Sequence, residues 1–445
     1  MNLPALILLA AALGQAKPAP AASSPSPPPR TLDLREATRT ALEHQPQLLQ
    51  AQAGTRAAEA RSDEAKSALL PQIVGSLSYS RLTYNFAPHP GSSPSVAVAP
   101  SSSFSTTNYY QGSATLSQLI YDFGQTSGKW RAAQASEDSQ RQSERATRNQ
   151  IILGVQTAYF TARAGKDLVG VAKDNLANQD LHLKQTEGFV RAGTHPEIDL
   201  AQARTNYANA VVQLITAENA YETEKAQLNQ ALGVEGPTDY DVANDTLPEV
   251  EGESLPLESL LAEALKNRPD VTALEAQARA QGLTIDSVKG GFWPSLGVST
   301  GLSDAGVQLD QTAWNWSATA TLTWNIYQGG LTRAQTREAQ ANLDAAQAQL
   351  SAARQQVRVD VEQARLAVRA AKESLGAAGE AVVNAREQLR LAEGRYAAGV
   401  GNAIELGDAQ VAYTTAAAQQ VQADYNLASS RAQLLRALGR EEPHA

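Results

Sequence analysis

Five histidines, His44, His89, His182, His195 and His444, are scattered through the 445 residues. None sits in an HExxH pattern or near a nucleophile elbow. The run YDFGQTSGK at Tyr121–Lys129 holds glycines and a lysine, as a phosphate loop does. Its spacing differs from GxxxxGK[ST], and Trp130 stands where a Ser or Thr is needed. DYDVANDT, from Asp239, lacks the twelve-position loop that wraps calcium. With no cysteine in the chain, thiol catalysis, disulfides, thiolate metal sites and a lipid anchor on cysteine are excluded. Carboxylates remain. Glu405 and Asp408 are three residues apart, which aims both toward one side of a helix. Asp199 stands at the position equivalent to Glu405 in an earlier copy of the same turn. Such residues satisfy the positive end of a helix dipole, or, gathered around a narrow opening, favour cations. The spacing is compatible with both. No enzyme and no cofactor are read from these residues.

The elements that must position those carboxylates come in two copies. ALEHQP at Ala41–Pro46 returns as ALKNRP at Ala264–Pro269, a shift of 223 residues. LSQLIYDFGQTS, from Leu116, returns as LTWNIYQGGLTR, from Leu322, a shift of 206. FVRAGTHPEIDLAQAR around Gly193 returns as RYAAGVGNAIELGDAQV around Gly399. The change of shift falls between Pro71 and Gly124, where the first copy carries an additional HPGSSPSVAVAPSSS-like loop. Insertions of this kind collect at solvent-exposed loop tips.

Each copy predicts the same order. A short helix precedes one of 22–25 residues, near Pro46–Leu70 and Pro269–Gly290. Two strands follow, Gln72–Phe86 with Tyr109–Tyr121, then Ser295–Leu302 with Trp314–Tyr327. Next come a very long helix, near Gln125–Arg191 and Leu331–Ala397, and a last helix, near Glu197–Leu232 and Ile404–Leu438. The domain reading is therefore 1–16 signal peptide, 17–30 Pro/Ala/Ser-rich tether, 31–233 first repeat, 234–255 link, 256–439 second repeat and 440–445 tail. In the second long helix Val357, Val361, Ala364, Val368, Ala371, Leu375, Ala378, Val382, Ala385, Leu389 and Ala392 step by four and three. Val155, Ala158, Ala162, Gly165, Val169, Ala172, Leu176 and Leu183 keep much of this in the first. The 3.5-residue period demands a left-handed supercoil, and small seam residues bring the helices close. A 67-residue helix spans about 100 Å at 1.5 Å per residue. The two shorter helices of each copy, end to end, nearly match that length.

The strands alternate. Trp314, Trp316, Ala318, Ala320, Leu322, Trp324 and Ile326 share one face, against Asn315, Ser317, Thr319, Thr321, Thr323 and Asn325. Tyr110, Gly112, Ala114, Leu116 and Ile120 do likewise against Gln111, Ser113, Thr115 and Ser117. Aromatic rings with small and aliphatic residues between them suit a lipid face, and the hydroxyls suit a wet lumen. Tyr110, Leu116, Trp314, Trp316 and Trp324 are the expected lipid-facing residues. Four strands cannot close a barrel, because the smallest common ones use eight. Several chains must pool strands, and three would give twelve. The N-terminal MNLPALILLAAALGQA reads as a signal peptide cut after Ala16, and no later stretch is a transmembrane helix. The net charge of −9 argues against a nucleic-acid partner.

The doubled order, the strand exits Leu116–Gly124 and Leu322–Gly330, and the turn GRYAAGVGNAIELGDAQ resemble the TolC-type outer-membrane efflux family. The resemblance implies a mainly α fold with a β-barrel. This is a homotrimeric channel-tunnel with a shared 12-stranded barrel in the outer membrane of a Gram-negative bacterium and a coiled-coil tube in the periplasm. It implies a passive exit duct of a tripartite efflux or type I secretion system, partnered by a periplasmic adaptor and an inner-membrane transporter. It places Asp199, Tyr396, Glu405 and Asp408 at the periplasmic aperture and the turns at Gly193 and Gly399 in the adaptor contact zone. Family members can carry an arginine where this chain has Gly401, which leaves Arg191 and Arg395 as donors for holding the mouth shut. The competing reading is a soluble periplasmic coiled-coil adaptor or scaffold, which would need a small β domain beside the hairpins.

Overall fold

The structure, a computed structural model, describes residues 30–83 and 104–440. The signal peptide, nearly all of the tether, the loop insertion and the last five residues lie outside the described residues. So do residues 84–86 of the first expected strand.

The first copy comprises β1 (Arg30–Leu32), α1 (Leu34–His44), α2 (Pro46–Ser67), β2 (Gln72–Leu82), β3 (Thr107–Tyr121), α3 (Gln125–Arg191) and α4 (Glu197–Leu232). After β4 (Tyr240–Val242), the second comprises α5 (Leu257–Asn267), α6 (Pro269–Gly290), β5 (Ser295–Gly306), β6 (Ala313–Thr323), α7 (Leu331–Ala397) and α8 (Ala403–Leu438). Corresponding helices have equal lengths of 11, 22, 67 and 36 residues. Local chemistry sets their ends. Pro46 and Pro269 open α2 and α6, where a missing N–H is free of cost. Asp33 caps α1 by accepting from Glu36 N at 2.6 Å.

The long helices organise everything else. α3 packs against α2 and α4 of its own copy and against α6 and α8 of the other. α7 packs against α5, α6 and α8 only, apart from minor contacts. On α7 the expected seam is buried from Val357 to Ala371 and again from Val382 to Ala392, with Leu375 and Ala378 half-buried between. On α3 it holds through Ala172 and then changes. Gln179, His182 and Thr186 are buried, whereas Leu176 and Leu183 are half-buried. The wall facing the two last helices becomes polar there, one helical step away from the leucines.

The link between copies is tied down. Its β4 pairs in parallel with β1, a strand that sequence reading assigned to the tether and the start of the first repeat. Arg440 donates to Glu251 O at 2.6 Å, and Arg431 donates to Leu247 O at 2.8 Å. Cations of α8 and its C-terminus thus strap the acidic link onto the helices. Two apolar clusters meet at this level. One is centred on Tyr159, Phe160 and Leu228, the other on Leu260, Val361 and Leu434.

β2, β3, β5 and β6 form one antiparallel sheet in that order. Among the described residues no helix packs across either of its faces. β6 ends at Thr323, not at Tyr327 as expected, so Trp324 lies just beyond the strand, where its indole donates to Phe292 O at 3.2 Å. β5 is longer than expected and reaches Gly306.

Candidate functional site: a two-faced sheet and the far turns

Residues directly opposite one another in an antiparallel pair share a face. The register therefore assigns each face across all four strands. Trp314, Trp316, Ala318, Ala320 and Leu322 stand opposite Asp304, Leu302, Thr300, Val298 and Leu296. Leu302 and Thr300 in turn stand opposite Ala114 and Leu116, and these opposite Gly75 and Ile73. Tyr79 and Tyr110 continue the same face, with ring centroids 5.0 Å apart. The reverse face is built from Ser76, Ser78, Ser80, Ser113, Thr115, Ser299, Ser303, Ser317, Thr319 and Thr321. Ser76 and Ser113 hydroxyls lie 2.8 Å apart on it. The apolar face is bare: Leu77 is 92% exposed, Trp314 72% and Trp316 62%. Water alone does not stabilise such a surface on an otherwise polar chain. The outer edges of β2 and β6 are also unpaired within the chain, leaving two rows of backbone donors and acceptors. Of the five residues expected on this face, Tyr110, Leu116, Trp314 and Trp316 lie on it.

The other site is at the opposite end of the long helices. Both turns close in the same way. Gly193 and Gly399 take φ of +74° and +75°, a conformation that costs residues with a Cβ. Their N–H groups donate to Val190 O and Tyr396 O, and the following N–H groups donate to Phe189 O and Arg395 O, all at 3.0 Å. Gly401 packs its backbone on the end of α7, its N–H donating to Arg395 O at 2.9 Å. A Cβ there would lie 2.9 Å from Tyr396 N, so the arginine seen in some family members has no room in this turn. The first turn carries His195 at the corresponding position.

Tyr396 is buried within the single chain. It is 1% exposed and sits in a cluster with Leu389, Ala392, Leu406 and Ala409. Its ring meets His182 edge-on at 5.0 Å, Phe189 at 6.0 Å and His195 at 5.6 Å. Its hydroxyl lies 3.3 Å from Thr186 Oγ1. Tyr396 is therefore a bridge from α7 to the α3–α4 turn. His182 is buried and its Nδ1 has no protein partner. Burial lowers its pKa, and the nearby Asp199 carboxylate opposes that shift. Close by, Gln179 donates to Gln410 Oε1 at 2.9 Å, fastening α3 to α8.

The carboxylates divide. Glu405 N–H is capped by Asn402 Oδ1 at 2.7 Å, and its carboxylate lies 3.4 Å from Arg395 Nε. Arg395 and Arg191 are both exposed, and Arg395 is the one that pairs with a carboxylate of its own turn. Asp408 is exposed on the next turn of α8, and Asp199 is half-buried beneath His182. His182, Phe189, Thr186 and Gln179 were not singled out from sequence. The available signal was the continuation of the seven-residue step from Ala172 to Gln179 in polar residues.

The family model for outer membrane efflux protein matches residues 37–234 and 260–440, once in each copy. A solvent efflux pump outer membrane protein, SrpC of Pseudomonas putida, is 25% identical over 68% of this chain and 64% of its own length. This chain thus spans a little under two thirds of that relative. Outer membrane protein TolC of Escherichia coli is 26% identical over 88% of this chain and 79% of its own. Among solved structures, the Campylobacter jejuni CmeC outer membrane channel superposes with a TM-score of 0.79 at 19% identity, covering 91% of this chain and 85% of CmeC. VceC of Vibrio cholerae gives 0.78 at 18% identity, covering 92% and 96%. These likenesses establish the fold.

Proposed function

Because the chain belongs to the outer membrane efflux protein family, we propose that three copies pool their sheets into one twelve-stranded barrel in the outer membrane and act as a passive exit duct. The observation that carries this is the two-faced sheet. One face is aromatic and aliphatic, the other hydroxylated, and no helix covers either. Lipid on the first face and a water-filled lumen on the second supply what the isolated chain lacks. Closure of the ring also removes the two open edges.

The helices support the same arrangement. α3 is flanked on both sides, α7 on one, and α7 leaves Val359, Leu366, Val383 and Leu391 exposed. A neighbouring copy supplies the missing side. The tube then extends about 100 Å from the membrane. Cargo passes without chemistry, so the driving energy comes from an inner-membrane transporter joined through a periplasmic adaptor. The far turns, with Gly193 and Gly399 at their corners, are the adaptor's contact zone. The mouth is lined by Asp199, Glu405 and Asp408 in threefold rings that favour cations. Tyr396 ties α7 to α3, and the Arg395–Glu405 pair ties α7 to α8 across the second turn. The serine, threonine and glycine lining of the lumen carries no selective chemistry, so choice of cargo falls to the transporter.

Purified protein in a planar bilayer tests this reading. Discrete, cation-selective openings are expected, and the double variant Glu405→Ala/Asp408→Ala should lose much of the selectivity while still inserting. A protein that remains monodisperse without detergent and gives no channels would overturn it.

A further inference from the structure

The four helices that meet the sheet carry a charge that helix stability does not account for. The first seven residues of α3 and α7 hold Lys129, Arg131, Arg333 and Arg337 and no carboxylate. α2 and α6 carry Lys66 and Lys289 in their last turns. A helix N-terminus favours carboxylates, as α4 and α8 show with Glu197, Asp199 and Glu405. The cations that open α3 and α7 run against that preference. Two of the positions recur in both copies. The shift of 223 residues carries Lys66 onto Lys289, and the shift of 206 carries Arg131 onto Arg337.

All six cations are exposed, and among the described residues none is ion-paired. Asp63, Glu64 and Asp286 lie on the same helix ends and pair with none of them. Lys66 Nζ instead lies over the Trp130 ring, 5.9 Å from its centroid. Further along the helices arginines do find carboxylates, as Arg141 does with Glu59 and Glu137, and Arg354 with Glu275.

An exposed aromatic stack stands at the same level. Tyr121, on the apolar face opposite Leu296, has its ring centroid 4.8 Å from that of Phe123, which stacks on Trp293 at 5.3 Å. Phe123 takes φ of +53°, where the second copy places Gly329 at +62°. A ring is thus kept on a strained backbone that glycine would relieve. It is spent on the apolar side of the sheet and not in a core.

We infer that the sheet end of the helical body is a docking collar for anionic phospholipid headgroups of the membrane leaflet on the helix side. Charge complementarity and continuity with the apolar face commit it to this occupant. Rings gather at the boundary between acyl chains and headgroups, and basic side chains just beyond it meet the phosphates. Helical side chains tilt toward the N-terminus of their helix, so Lys129, Arg131, Arg333 and Arg337 reach back toward the membrane. Arg131 and Arg337 lie six residues past the starts of α3 and α7, about 9 Å along the axis, within reach of a snorkelling side chain. The collar fixes the depth of the barrel and so sets where the tube begins.

This inference rests on the barrel proposed above, and the test separates the two. Purified full-length protein is reconstituted into phosphatidylcholine vesicles that carry spin-labelled phosphatidylglycerol or spin-labelled phosphatidylcholine. The immobilised fraction of each label gives its relative affinity for the protein surface. The wild type should hold the anionic label several-fold more strongly at low salt, and high salt should bring the ratio toward unity. The variant Lys66→Gln/Arg131→Gln/Lys289→Gln/Arg337→Gln should hold both labels nearly alike even at low salt. Its positions are exposed and glutamine suits a helix, so the fold is retained, which circular dichroism checks. Arg35→Gln/Arg39→Gln, on α1 and separated from the sheet by the length of α2, should keep the full preference. A wild type without preference overturns the collar. So does a quadruple variant that keeps the preference and shifts the ion selectivity of the channel instead, because the cations then line the lumen. Protein that does not float with the vesicles overturns the barrel reading itself.

Discussion

Burial withholds water from the His182 imidazolium near the end of α3, with Asp199 only partly offsetting that cost. Its pKa in the folded chain is below the ordinary 6.5. An unfolded chain therefore binds this proton more readily than the folded chain does. Its contribution to stability is complete above about pH 6.5 and is lost as pH falls below that value. The melting temperature should fall between about pH 7.5 and about pH 5.5 by more in the wild type than in His182→Gln. Equal falls would mean that other groups set the acid response. The neighbouring Tyr396 connects this group to the far turns. Its edge contact with His182 is part of the bridge between α7 and the first turn, so a charge here acts on the same joint.

At the scale of elements, the seam of α3 changes from apolar to polar over its last turns. Gln179 and Gln410 are both buried and bonded to each other, joining helices of different copies. Removing one partner strands the other, so Gln410→Leu should cost about 1–3 kcal/mol. The double variant Gln179→Leu/Gln410→Leu should recover most of that loss, because neither amide is then left without a partner. A thermal or denaturant cycle over the four proteins measures the coupling. A zero coupling would show that the bond does not fasten α3 to α8. The seam on α7 has no such polar pair in its buried positions from Val382 to Ala392. The two long helices thus share length and period but differ in what joins them near the far turns.

For the whole molecule, the sheet makes a prediction at adjacent residues. Ala318 lies mid-strand on the apolar face and Thr319 on the hydroxyl face. An arginine at a lipid-facing midplane position costs about 2–4 kcal/mol, whereas lumen positions tolerate it. Ala318→Arg should sharply reduce the amount of assembled protein recovered from outer membranes, and Thr319→Arg should leave it near normal while altering conductance. Similar recovery of both would contradict the assignment of the faces.

Much of this protein was legible in its sequence because its two periods are long and unbroken. The four-and-three step marked the middle of both 67-residue helices, and the doubled strand exits and glycine turns marked where they begin and end. Alternation on β6 assigned Trp314 and Trp316 to one face before any register was known. Short elements without a period were not legible. β1 has three residues and exists because it pairs with β4, which is a property of neither segment alone. The bridge of Tyr396 to His182, Phe189 and Thr186 likewise joins residues about 200 positions apart. Local spacing carries the hydrophobic pattern of each element, but which residues meet across elements is decided by packing, and only the folded chain supplies that.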